Sequence, residues 1–203
     1  MLSETRPFRL GVTGGIASGK STVMTILGDL GAETIDADQV YHELIEPGRP
    51  LNAALVGRWG DRIRRPDGRI DRRALGTIVF ADPAELAALD HLTHPAIRQK
   101  IDTIVASSQA RVVAVDAVKL IESGRADSCD SVWLVLASPA IQVERLIASR
   151  QLDRADAERR VASQSDWASK ISRADVVIRN DSTPENLDLS VRDAWRRLPI
   201  HHQ

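Results

Sequence analysis

The sequence predicts an α/β protein with three layers, a five-stranded parallel sheet, an inserted helical domain and a lid. Three observations predict it. Short β-branched runs alternate with longer amphipathic stretches, the pattern of strands joined by crossover helices. The run Val112-Val113-Ala114-Val115 is continuously apolar, as a strand covered on both faces is. Residues 37–110 separate the second run from the third, far more chain than the dozen or so residues a crossover needs.

Five runs read as buried strands: Arg9–Thr13, Glu33–Ile35, Arg111–Val115, Val132–Ala137 and Asp175–Arg179. Single helical stretches are expected between the last three, with the right-handed sense that parallel strands impose. The long gap holds five helix-like segments, Ala37–Glu46, Leu51–Trp59, Arg72–Phe80, Pro83–Leu92 and Pro95–Ser107. Turn residues interrupt them at Glu46-Pro47-Gly48 and Arg65-Pro66-Asp67-Gly68. The expected organisation is therefore a core of residues 1–36 and 111–203, carrying a lid at about 150–165, with a helical insertion over 37–110. The ends, Met1–Pro7 and His201–Gln203, are expected to be loose.

Composition narrows the function. Hydrophobic residues are 43% and charged residues 27%, as in ordinary globular proteins, which excludes intrinsic disorder as the main reading. A formal net charge of -1 argues against nucleic acid or a membrane surface as partner, and 3% aromatics against a stacking platform for single strands. One cysteine, Cys129, excludes an internal disulfide framework and fits a reducing compartment. With no signal-like N-terminus and no apolar run of membrane length, the expected location is the cytoplasm. A monomer is the default expectation.

The chemistry begins at Gly14-Gly15-Ile16-Ala17-Ser18-Gly19-Lys20-Ser21, which matches G-x-x-x-x-G-K-[ST]. Glycines let the backbone curl so that successive amides face phosphate oxygens, and the helix that follows adds the positive end of its dipole. Lys20 reaches the β- and γ-phosphates in such a loop, and the Ser21 hydroxyl ligates Mg²⁺. The preceding strand and following helix, Ser21–Leu30, supply the required context. A GTP switch is excluded by the absence of its other elements: none of the 12 glycines has Asp three residues before it, and no lysine follows Asn.

A small phosphotransferase also needs a proton acceptor and cations that close over the transferring group. Asp36 and Asp38 end the second strand, at the edge where open α/β sheets bind ligands. Either carboxylate could orient an acceptor hydroxyl, but one of the pair suffices as a helix cap, and Asp36 suits that role. Asp116 ends the third strand in Walker B fashion and is either a holder of metal-bound water or a cap. The segment Arg150-Gln151-Leu152-Asp153-Arg154 through Arg160 could fold over a triphosphate as a lid. It reads equally as a solvated helix laced with charge pairs.

Four segments, in this order and spacing, carry a family resemblance: Thr13 through Thr22; Ile35-Asp36-Ala37-Asp38 leading to Glu46-Pro47-Gly48; His94-Pro95-Ala96-Ile97; and Ala174-Asp175-Val176-Val177-Ile178-Arg179-Asn180. In them the chain resembles the dephospho-coenzyme A kinases over nearly its whole length. The resemblance implies a P-loop fold of the nucleoside-monophosphate-kinase type whose helical insertion binds the acceptor. It implies transfer of the γ-phosphoryl of ATP, with Mg²⁺, to the ribose 3′-hydroxyl of dephospho-CoA. By position, Asp38 is the implied base, Lys20 the phosphate clamp and Ser21 the metal ligand. Arg150 and Arg154 contact ATP from the lid, and Asn180 lies near the adenine. Acceptor contacts fall to Asp38, Arg73, His94, Leu120 and Glu122. His94 could instead be a buried hydrogen-bonding residue at a helix start, and Arg73 a surface ion pair. The family's Pro-Leu-Leu-Phe-Glu run is replaced here by Val118-Lys119-Leu120-Ile121-Glu122.

Overall fold

The computed structural model describes residues 6–164 and 167–201. Most of the expected loose ends, and residue 165 at the end of the lid segment, lie outside the described residues. Among the described residues the strands are β1 Phe8–Gly14, β2 Glu33–Asp36, β3 Val112–Asp116, β4 Ser131–Leu136 and β5 Val176–Arg179. They form one five-stranded, all-parallel sheet in the order β2-β3-β1-β4-β5. Each run was placed by sequence to within a residue or two.

The register puts Val12 opposite Asp116 and Trp133, so β1 sits between β3 and β4. The chain turns one way from β1 to β2 and the other way to β4 and β5. Their carboxyl ends therefore flank a switch point, where open parallel sheets place ligands. Helices α1 Lys20–Asp29 and α9 Pro184–Arg196 cover one face. Val23, Met24, Ile26 and Leu27 of α1 and Leu187, Val191 and Trp195 of α9 pack there on Leu10, Val12, Trp133 and Val135.

The chain divides into two compact units, one of Met1–Ile35 with Ser108–Gln203, the other Asp36–Ser107. The second contains α2 Ala37–Leu44, α3 Pro50–Trp59, α4 Arg72–Val79 and α5 Pro83–Ser107. It has its own core, including Leu51, Leu55, Trp59, Ile63, Leu75 and Val79. Buried Asn52 ties its turns together, donating from Nδ2 to the carbonyls of Ile45 at 2.8 Å and Gly68 at 3.2 Å.

Three sequence expectations are corrected. The break expected between Leu92 and Pro95 is absent, because α5 runs through Pro95 as one helix. An interior proline removes one backbone donor and costs about 3 kcal/mol. Burial outweighs that cost: Leu86, Leu89, Leu92 and Ala96 all pack on the unit's core, on both sides of the proline. His94 therefore lies inside a helix rather than at its start. The second correction concerns β3 to β4, where turns and a short 3₁₀ helix, Arg125–Ser128, replace the expected α-helix. Gly124 at φ +70° breaks the stretch, and only scattered apolar residues, among them Leu120, Ile121 and Ala126, are buried there. The β4–β5 connection carries three helices instead of one: α6 Pro139–Arg150, α7 Arg154–Ala162 and α8 Trp167–Ile171.

Candidate active site

Local geometry folds residues 14–21 into a tight glycine-rich loop between β1 and α1. Gly14 ends β1, Ala17 takes φ +53°, and Gly19 takes φ +92° as the residue capping α1. Gly19 is required twice over. Its φ lies in the left-handed region, and a Cβ there would collide with Asn180 Nδ2. Lys20 then opens α1, with Ser21 and Thr22 exposed in the first turn. Ser18 is only 1% exposed, so the loop's far limb is packed.

Lys20 and Asp116 are brought together. The Lys20 ammonium forms an ion pair with Asp116 Oδ1, both side chains being largely buried, at 14% and 12% exposure. Register explains the meeting: Asp116 lies opposite Val12, and the Ala117 amide donates to the Val12 carbonyl at 3.1 Å. Thr13 Oγ1 donates to the carbonyl of Val118, fastening the strand ends. A carboxylate and a hydroxyl, Asp116 and Ser21, are hard oxygen donors of the type that suits Mg²⁺, which takes one or two protein oxygens and fills its octahedron with water and phosphate. Among the described residues no group of three or more His, Cys, Asp or Glu could hold a metal ion.

Asn180 is 5% exposed and braces the loop from behind. Its Nδ2 donates to Ser18 O at 2.8 Å, and its backbone amide to Leu136 O at 2.7 Å. Arg145, which sequence reasoning missed, completes the brace. Its Nη2 donates to Asn180 O and Oδ1 at 3.0 and 3.1 Å, and its Nη1 to the carbonyls of Ala17 and Ser18 at 3.3 and 3.4 Å. Gln164 and Lys170 were also missed. Lys170, 7% exposed, pairs with Glu122 at 2.6 Å and lies 4.5 Å from the ring centroid of Trp167. No local pattern announces any of these; each has a partner more than 20 residues away along the chain.

Other predicted residues divide by unit. Leu120 is 1% exposed and fills the space above Gly11, so it is a packing residue and its side chain is not available to an acceptor. Arg150 closes α6 and is exposed, whereas Arg154 lies 3.8 Å from both Glu144 and Glu158. In the Asp36–Ser107 unit, Asp36 caps α2, accepting from the amides of Asp38 at 2.8 Å and Gln39 at 3.2 Å. That leaves the exposed Asp38 carboxylate without a capping duty. Arg73 is exposed in the first turn of α4. His94, half-buried, approaches Asp90 at 3.4 Å and borders a surface groove of about 570 Å³ along α5 with Arg98, Asp102 and Thr103.

Residues 8–186 match the family model described as dephospho-CoA kinase. The chain belongs to the dephospho-CoA kinase family. Members catalyse the ATP-dependent phosphorylation of dephospho-CoA to CoA, and this chain is an enzyme of that type. It is 44% identical over 194 residues to the dephospho-CoA kinase of Geobacter sulfurreducens, covering 94% of this chain and 98% of the relative. The Moorella thermoacetica enzyme is 40% identical, with 96% and 93% covered. Among solved structures, the Thermus thermophilus protein TT1252 superposes with a TM-score of 0.83 at 29% identity, covering 96% of this chain and 99% of that one. Shikimate kinase from Bacteroides thetaiotaomicron, at 12% identity and a TM-score of 0.56 with 94% and 98% covered, shares the fold alone. Among the described residues no helix is long and apolar enough to cross a membrane.

Proposed function

We propose that this family member transfers the γ-phosphoryl of ATP to the ribose 3′-hydroxyl of dephospho-CoA at the loop of residues 14–22. The observation that carries the reading is the Lys20–Asp116 pair at the loop's foot, where β1 and β3 end. Amides of the loop and of the first turn of α1 bind the triphosphate through their dipoles, apart from those of Ile16 and Ser18, which donate to Gln164 and to Gly15 O. Lys20 leaves Asp116 for the β- and γ-phosphates. Asp116 and Ser21 would hold Mg²⁺, which would supply positive charge to offset the charge developing on the phosphates.

Asp38 accepts the proton of the 3′-hydroxyl as its oxygen bonds to the γ-phosphorus. The bond from that phosphorus to the bridging oxygen breaks, and ADP leaves. Arg150 and Arg154 close over the phosphates, Arg154 exchanging its two glutamates for them, and closure excludes water that would otherwise hydrolyse ATP. Arg73 and His94 contact the acceptor in the helical unit. Glu122 contributes through its pairing with Lys170. The enzyme works in the cytoplasm as a monomer, without nucleic-acid or membrane partners.

The test measures ADP release with ATP and Mg²⁺, with and without dephospho-CoA, followed by mass analysis of the product. Acceptor-dependent release and a product heavier by one phosphoryl group support the reading. Release indifferent to dephospho-CoA overturns it.

A further inference from the structure

The loop's near limb is held by a residue that the phosphate-binding motif does not include. The Ile16 amide donates to Gln164 Oε1 at 2.8 Å. Gln164 follows α7, and its Nε2 donates in turn to Gln142 Oε1 at 3.0 Å and to Val161 O at 3.1 Å. Gln142 is 1% exposed, so the far end of this chain of amides is anchored inside α6. The loop's apolar tip joins the same place: Ile16 and Ala17 pack against Val143, Leu146 and Ala157. Gly15 fits the arrangement because a Cβ there would meet Gln164 Oε1 and the Trp167 ring, whose Cζ2 would be 2.6 Å away.

We infer that Gln164 is a positioning residue for phosphoryl transfer, setting the shape of the nucleotide loop by fixing the Ile16 amide to the end of α7. It touches neither the transferring phosphoryl group nor the acceptor and acts through the backbone of the loop. The inference rests on the proposed function of that loop, and it ties the loop to the helix that begins with Arg154. A glutamine is suited to this task because one side chain accepts from the loop while donating to the core.

Two variants test it, Gln164→Ala and Gln164→Met, the second keeping bulk without the carboxamide. Losing one net hydrogen bond corresponds to roughly a 2–12-fold change in an equilibrium constant. Both variants are expected to raise KM for ATP within that range, with KM for dephospho-CoA within about twofold of the parent. ADP titrated calorimetrically into each variant should weaken by a similar factor. Equal rises in both KM values, unchanged nucleotide affinity, or a Met variant indistinguishable from the parent would overturn the inference. The ADP titration stands even if the parent proves inactive on dephospho-CoA, so failure of the proposed function and failure of the Gln164 role are told apart.

Discussion

Replacing Asn180 with alanine separates bracing of the loop from contact with the nucleotide base. The side chain is almost fully buried and gives its Nδ2 hydrogen to Ser18 O at 2.8 Å. Without it that carbonyl keeps, among the described residues, the 3.4 Å contact from Arg145 Nη1, while Arg145 Nη2 retains the Asn180 backbone oxygen at 3.0 Å. One buried acceptor is thus left poorly satisfied, at about 1–3 kcal/mol. For a chain of this size each kcal/mol moves Tm by about 2–4 °C, so Asn180→Ala should melt roughly 2–12 °C below the parent. Asn180→Asp should do worse, because a carboxylate oxygen would face the Ser18 carbonyl and set a negative charge behind a loop meant for phosphates. Circular dichroism melts and KM for ATP measure both effects. A melting point within about 1 °C of the parent in Asn180→Ala would refute the brace, as would an aspartate variant more stable than the alanine one.

Lys20→Met should lower kcat by at least about 10²–10³, the loss seen when one preorganised charge-stabilising donor is removed; ADP release with dephospho-CoA checks it, and near-normal turnover would end the clamp assignment. Asp38→Asn should lower kcat by roughly 10²–10⁴ with little change in melting point, since Asp36 already caps α2; an unchanged kcat would leave Asp38 no part in proton transfer. The fourth prediction concerns pH. Burial pushes the Cys129 thiol up from 9.0 to about 11, so the unfolded chain deprotonates first. Its contribution to stability is complete below about pH 9 and is lost as pH climbs through about 11. Melts of the parent between pH 8 and 11 should therefore fall more steeply than those of Cys129→Ala, and parallel curves would count against a partly buried neutral thiol.

The sheet was legible because its signal is local. Each strand is a short apolar or β-branched run, and a parallel sheet needs those runs wherever helices cover both faces. The long gap between the second and third runs reads as an insertion by its length alone. Misreadings came where distant packing outweighed local preference. His94-Pro95 looks like a helix boundary by every neighbouring residue, yet Leu89, Leu92 and Ala96 bury the helix on both sides of the proline. Residues 117–130 contain enough helix formers to suggest a crossover helix. The break is at Gly124, whose left-handed φ no periodicity reveals.

The site divides along the same line. A loop of eight residues announces itself because all its amides must converge within a few ångströms, which confines the glycines and the lysine to fixed spacings. What holds that loop is spread over the chain. Ser18 meets Asn180, Ala17 meets Arg145, and Ile16 meets Gln164, at separations above 100 residues. Each of these partners is an ordinary polar residue by type, distinguished only by burial against a carbonyl or amide of the loop. Asn180 is instructive because the resemblance singled it out for a place beside the adenine, whereas its bonds run to the loop backbone and to Arg145. A position can therefore be recognisable in sequence while its physical role is visible only in three dimensions. Three distant side chains, Asn180, Arg145 and Gln164, hold the backbone of the motif in its shape.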